Sequence, residues 1–229
     1  MAGMAKPRRQ APARAAEPRS ITTLQAALAV FLTFASPRML AIQLVVALGI
    51  RPIFGPPGLG DLLIVAAVAI YWPLQEWFLH RYVLHMRPRE LLGLRIDPIA
   101  ARYHRAHHRE PWRLEYVFLP GRMIVAMIPA HVALWLWLAP SHALALTGIA
   151  AFGGAALFYE WIHYLTHTFY RPRSAYYREI WRGHRLHHFK NERYWYGFTV
   201  PLVDRLLGTA PDPGSVPNSE TCATLGIDD

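Results

Sequence analysis

A chain of 229 residues suits one domain, and its single cysteine, Cys222, excludes an internal disulfide, a thiolate zinc site and an iron–sulfur cluster. Apolar residues make up 53% and the mean hydropathy is positive, which is unusual for a soluble domain of this size. The net charge of +9 is carried almost wholly by arginine, Lys6 and Lys190 being the only lysines; in so apolar a chain it argues against a nucleic-acid partner and for basic loops facing a cytoplasmic leaflet.

Residues 1–19, rich in Ala, Pro and Arg, read as a disordered basic tail, with no cleavable apolar segment behind them to make a secretory signal. Ser20 is a plausible N-cap for a helix over 20–35, too short to cross a bilayer and stopped at Ser36-Pro37-Arg38, hence expected to lie at the interface. Four apolar runs follow, at about 39–54, 60–84, 122–139 and 142–167, the first of them the shortest against the ~20 residues a span needs. The turn cluster Gly55 to Gly60 separates the first two, and Pro140 makes a tight hairpin between the last two. The loop 86–120 carries Arg87, Arg89, Arg95, Arg102, Arg105, Arg109 and Arg113, whereas the 139–142 tip carries none. That asymmetry places residues 1–38, 86–121 and 168–229 on the cytoplasmic side, with an even number of crossings, about four. Residues 210–229, small, polar and proline-containing, read as a second disordered tail.

Ten of the twelve histidines fall in four clusters on that side: His80 and His85, then His104, His107 and His108, then His163 and His167, then His184, His187 and His188. On a helix, residues four apart are separated by about 40° around the axis, so the second, third and fourth clusters each aim their rings from one face. His80 and His85 would be about 140° apart. Either the helix unwinds before Met86-Arg87-Pro88 or a local bulge brings them together. Neutral imidazole is a strong donor to iron, copper and zinc, and ten rings are too many for one ion but suit two. His131 and His142 stand alone in or between apolar runs on the other side, where a local hydrogen bond is the expected role. Glu76, one turn before His80, and Glu160, three residues before His163, lie on the walls of apolar spans, where a carboxylate needs a partner. The expected role is to accept the N–H of a metal-bound imidazole, with a salt bridge to Arg81 as the bland alternative; Asp204 is a third candidate for the same role.

The order of the clusters, together with His187-His188-Phe189-Lys190-Asn191, Trp195-Tyr196-Gly197-Phe198-Thr199 and Asp204-Arg205-Leu206-Leu207-Gly208-Thr209, resembles the fatty acid hydroxylase/sterol desaturase superfamily of histidine-box membrane oxygenases over roughly Asp61 to Thr209. Within it, the third cluster and the Gly-Phe-Thr ending are most similar to fatty acid 2-hydroxylases. The resemblance implies an all-α integral membrane protein of about four transmembrane helices with a cytoplasmic helical cap carrying a di-metal site. It also implies two iron ions, for which zinc can substitute in a purified sample, with O2 as co-substrate and a membrane lipid or acyl chain hydroxylated at an unactivated C–H bond. These 229 residues include no fused cytochrome b5 domain, so electrons are expected from a separate donor, a cytochrome b5-like protein, a ferredoxin or a reductase. A lipid or sterol desaturase or a carotenoid hydroxylase of the same superfamily is the alternative. A metal transporter or a non-catalytic metal-binding protein is disfavoured because the rings cluster at span ends rather than along a path, and a bis-histidine haem because ten rings share one side.

Overall fold

The computed structural model describes residues 17–227, so most of the expected N-terminal tail lies outside the described residues. Among the described residues, four helical stretches are long and apolar enough to cross a membrane: Ala35–Phe54, Leu59–Leu84, Leu114–Leu138 and His142–Thr166. The helices are α1 (Leu24–Phe31), α2 (Ala35–Ile50), α3 (Leu59–Phe78), α4 (Ile99–Arg109), α5 (Leu114–Val117), α6 (Gly121–Leu138), α7 (His142–Thr166), α8 (Ala175–Phe189) and α9 (Leu202–Leu206), with a hairpin of β1 (Arg89–Leu91) and β2 (Leu94–Ile96) between α3 and α4. A 3-10 turn, Arg51–Phe54, prolongs α2, and a π-helical turn, Leu79–Leu84, prolongs α3.

The first two elements differ from the sequence reading. Helix α1 ends at Phe31, and α2 begins at Ala35 rather than after Arg38. Pro37 does not end a helix there because it falls in the first turn, where its missing N–H has no intrahelical partner to lose. The hairpin inside the 86–120 loop had no counterpart in the reading; its strands are only three residues each.

Helix α7 is the central post, packed against α2, α3 and α6. Small residues let neighbours come close: a Cβ on Gly148 would stand 2.2 Å from the Trp135 ring of α6. At the end away from the histidines, the Arg51 guanidinium grips Asp61 through Nε and Nη2, at 2.7–2.9 Å, and also reaches Thr147, tying α2, α3 and α7. At the histidine end, α1 joins a core of Phe31, Phe118, Ile162, Tyr164 and Tyr177, and the Tyr164 hydroxyl donates to the carbonyl of Ala27 at 3.1 Å. The outer faces of α2, α3 and α6 expose Ile42, Val45, Leu62, Ile70 and Trp137, the surface a bilayer would cover.

Because the Gly148 site has no room for a methyl group, Gly148→Ala is expected to lower the unfolding free energy in detergent by about 1–3 kcal/mol. Trp135→Leu in the same chain should return part of that loss. Equal stability of Gly148→Ala and the parent chain in thermal or denaturant unfolding would contradict this packing.

Candidate metal centre

The π turn settles the first cluster in favour of the bulge. The His85 N–H donates to the His80 carbonyl at 3.3 Å, an i to i+5 bond, and the two ring centroids come within 4.9 Å. From the other side, α4 brings His104, His107 and His108, the end of α7 brings His163 and His167, and α8 brings His184, His187 and His188. Their donor nitrogens form two groups. In one, His80, His85, His104, His108 and His187 offer nitrogens all within 4.8 Å of one another, and in the other His107, His163, His167 and His184 do the same.

The i, i+3, i+4 register thus feeds both groups. On α4 the i and i+4 rings serve the first group while the i+3 ring, His107, crosses to the second. On α8 the i+3 ring, His187, crosses the opposite way. His188 sits between the groups, stacked on His108 at 4.2 Å and edge-on to His184 at 4.5 Å, and neither of its ring nitrogens has a protein partner.

Burial first, and the neighbouring rings after it, hold His85, His104, His107, His108, His184 and His188 well below the usual imidazole range; burial brings His187 down to about 4. These rings are therefore neutral, each with one proton to place. Main-chain carbonyls fix where. Nδ1–H of His80 donates to the carbonyl of Tyr196 at 2.7 Å, that of His187 to Tyr194 at 2.7 Å and that of His108 to Cys222 at 2.8 Å. The Nε2 atoms of His108 and His187 then face each other at 3.2 Å, both as lone pairs. Those of His163 and His107 stand 3.2 Å apart, and those of His167 and His184 2.6 Å apart. At His108 and His187 two lone pairs make no hydrogen bond, whereas a cation between them is what both would bind. The residues present fit a pair of metal ions.

The three carboxylates are placed differently from the reading, for none touches an imidazole. Glu76 Oε1 accepts from the main-chain N–H of Phe198 and, at 2.9 Å, of Thr199; its Oε2 accepts from the Thr199 hydroxyl at 2.7 Å and from Trp72. Arg81 lies over the rings of Trp77, Tyr82 and Tyr196 instead of pairing with it. Glu76 thereby clamps Phe198, whose ring stacks on His80 at 4.7 Å and meets His163 and His184 at the same distance. Glu160 accepts from the Ser36 hydroxyl at 2.5 Å and the Leu119 N–H at 3.2 Å, joining α2 to α7. Asp204 accepts from the N–H groups of Tyr196 and Gly197 at 3.0 and 2.7 Å, and so steadies the segment whose carbonyl holds His80.

Residues after 210, expected to be disordered, run back over the site up to residue 227. Ser219 N–H donates to the Lys190 carbonyl at 2.7 Å, the Thr221 hydroxyl to Glu192 at 2.6 Å, and Arg109 to the carbonyl of Ile227 at 3.1 Å. Hydrogen bonds to main chain and side chains alike, which composition does not report, hold them there. His131 meets the expectation of a local bond, its Nδ1 lying 3.1 Å from the Gln43 amide. Beneath the histidines, α2, α3, α6 and α7 border an open apolar cavity of about 280 Å³, lined by Leu40, Leu79, Val83, Met127 and Phe152, with Glu76 and Tyr159 on its wall. Tyr159 carries that wall to within 5.8 Å of the His163 ring.

Glu76→Gln turns one acceptor oxygen into a donor facing donors, so it is expected to speed metal release by about 10–100-fold with helicity unchanged. In the segment after 210, which forms a strap over the site, Ser219→Pro with Thr221→Val should do the same for metal held by the group that contains His108. Release rates equal to the parent chain's, followed by a chelating dye, would deny either segment its part in holding the rings.

Residues 65–209 match the family model described as fatty acid hydroxylase. A dihydroceramide fatty acyl 2-hydroxylase, FAH2 of Arabidopsis thaliana, is 31% identical over 150 residues, 65% of this chain and 61% of that protein, so the chain spans about six tenths of its length. A beta-carotene hydroxylase of Paracoccus sp. is 30% identical over 158 residues, 64% of this chain and 88% of that protein. Among solved structures, full-length scs7p, in which only the hydroxylase domain is visible, superposes with a TM-score of 0.63 at 22% identity, over 87% of this chain and 70% of that one.

Proposed function

The chain belongs to the fatty acid hydroxylase family, and we propose that it is a di-iron, O2-dependent hydroxylase of a membrane lipid or fatty acyl chain. The observation that carries this reading is the clustering of nine buried imidazoles and the half-buried His85 beside an apolar cavity inside a bundle of membrane-spanning length. In it, His80, His85, His104, His108 and His187 hold one ion, and His107, His163, His167 and His184 hold the other. The two-half repeat adds His188 to the second set: His184 and His188 correspond to His104 and His108, and His187 to His107.

When bound, the ions supply the oxidising chemistry that an unactivated C–H bond requires. The overall change adds one oxygen atom of O2 to the C–H bond and sends the other to water, with two electrons and two protons from outside. The chain's own part is to position and to exclude. Leu79, Val83 and Met127 line a water-poor slot for an alkyl chain, and Tyr159 and Phe198 close the slot against the rings. The carbonyls of Tyr194, Tyr196 and Cys222 hold the imidazole protons on Nδ1, which keeps every Nε2 of that set available.

The arginine-rich 86–121 segment supports a cytoplasmic site, in reach of a separate cytochrome b5-like, ferredoxin or reductase donor. The likeness to a beta-carotene hydroxylase, which the chain spans for 88% of its length, favours the same chemistry on an isoprenoid chain as the second reading.

Elemental analysis of the chain grown with iron should find about two ions per molecule. Lipids extracted after co-expression with a reductase and profiled by mass spectrometry should gain one oxygen. His108→Ala and His188→Ala are each expected to lose one ion and all turnover, while His131→Ala and His142→Ala keep both ions. An unaltered lipid profile from the fully metallated, reduced protein would sink the hydroxylase reading, and two ions retained in His188→Ala would remove His188 from the second set. Cysteines introduced into the 86–120 loop and labelled only from the outside would reverse the topology.

A further inference from the structure

Among the described residues, nothing buries the β1–β2 hairpin at any point along its length. Its register pairs Arg89 with Ile96, Glu90 with Arg95 and Leu91 with Leu94. Paired residues share a face and successive pairs alternate, so one face carries Leu91, Leu94 and Ile96 with Arg89 at its root, and the other carries Glu90 opposite Arg95. The hairpin is amphipathic, and every residue of it is exposed: Leu91 58%, Leu94 71%, and Leu92 at the tip 95%. Leu92 and Gly93 form the two-residue turn with φ of 52° and 76°. The first of those positions favours Asn, Asp or Gly, and a leucine there is strained. The chain thus sets its most exposed leucine where a polar residue would be cheaper.

A two-stranded hairpin is marginally stable in water, so something covers this one. Its place in the fold says what. Four residues separate Arg89 from Leu84, the end of the second span, and three separate Ile96 from Ala100; Leu84 and Ala100 both line the apolar cavity. Arg89 and Arg95 lie on the same two strands as the leucines, against Glu90 and Asp97, and Asp97 is already paired with Arg105 at 2.6 Å. Leucines with flanking arginines beside a span end match the apolar and anionic layers of a leaflet surface. A second copy of the chain is a poorer fit, because four apolar side chains fall far short of the ~20–30 residues a side that a stable protein interface uses.

We propose that the β1–β2 hairpin is a membrane-interface anchor, its Leu91, Leu92, Leu94 and Ile96 face sunk among lipid headgroups and acyl ends and its arginines on lipid phosphates, beside the point where the cavity meets the bilayer. The anchor fixes the segment between the first two histidine clusters to the leaflet from which a lipid enters. It depends on the membrane bundle alone and on neither the metal nor the reaction.

The test uses the full chain with Cys222→Ser and Leu92→Cys, labelled with an environment-sensitive fluorophore and placed in nanodiscs of equimolar phosphatidylcholine and phosphatidylglycerol. A lipid carrying a quencher near its headgroup should quench the label strongly, and aqueous iodide should not. Serine at Leu91 and Leu94 should return the label to water, with metal content and melting temperature reporting an intact bundle. A label that iodide reaches freely in the parent background overturns the anchor. Disulfide cross-linking of two chains through Leu92→Cys before labelling overturns it in favour of a second copy. Unchanged shielding in phosphatidylcholine alone overturns the part given to the arginines.

Discussion

The first histidine group turns on one electrostatic conflict, the meeting of the His108 and His187 Nε2 lone pairs. Each of these rings donates Nδ1–H to a carbonyl and so has only a lone pair to present at 3.2 Å. Burial blocks the simple escape of protonating one ring. Among the described residues nothing relieves the conflict, so the architecture around it holds an unfavourable arrangement in place. Glu76 pins Phe198, Asp204 pins Tyr196 and Gly197, and the strap from 217 to 227 pins His108. Removing one of these restraints lets a ring turn away, and the shape that a cation would complete is gone.

The two halves of the chain solve this in the same way with one difference of length. Each supplies a span-end pair and an i, i+3, i+4 trio, but the first pair is separated by one residue more than the second. The π turn absorbs that extra residue and restores the common face. Each half also lends its i+3 ring, His107 or His187, to the other's group. Neither group can assemble from one half alone, so binding at either is bound to the docking of α4 against α8 and reaches folding as well as chemistry.

Side-chain chemistry was open to a reader of the sequence, because donor spacing, apolar run length and arginine asymmetry are all written in residue type. His80 and His85 were even legible as a conflict requiring a bulge or an unwound turn, although spacing could not choose between them. Main-chain chemistry was not open in that way. The carbonyls of Tyr194, Tyr196 and Cys222 could belong to any residue, so the task of orienting imidazoles was assigned instead to Glu76, Glu160 and Asp204, whose cost in an apolar setting did announce that they have partners. The partners are N–H groups and hydroxyls. The strap misled for the same reason: small polar residues with prolines leave no core signature, and hydrogen bonds to Lys190 and Glu192 order it without one. The division of ten rings into two groups, with crossing i+3 positions, follows from how α4 and α8 face each other, a tertiary fact.

The unequal lengths of the spans bear on which membranes suit the protein. The stretch Ala35–Phe54 has 20 residues, about 30 Å of helix, whereas Leu59–Leu84 has 26, about 39 Å. Ser36, in the first turn of α2, bonds Glu160, so the hydrocarbon boundary set by α2 falls below His163 and His167 on α7. In a bilayer as thin as α2, the surplus of the longer helices rises clear of the acyl layer and becomes the footing of the site. A thicker bilayer would pull Arg38 and the Arg51–Asp61 pair into hydrocarbon at one or both ends of α2, at a cost that grows with each ångström of mismatch. The shortest helix is therefore the one that sets the limit, matching a hydrocarbon core of about 30 Å.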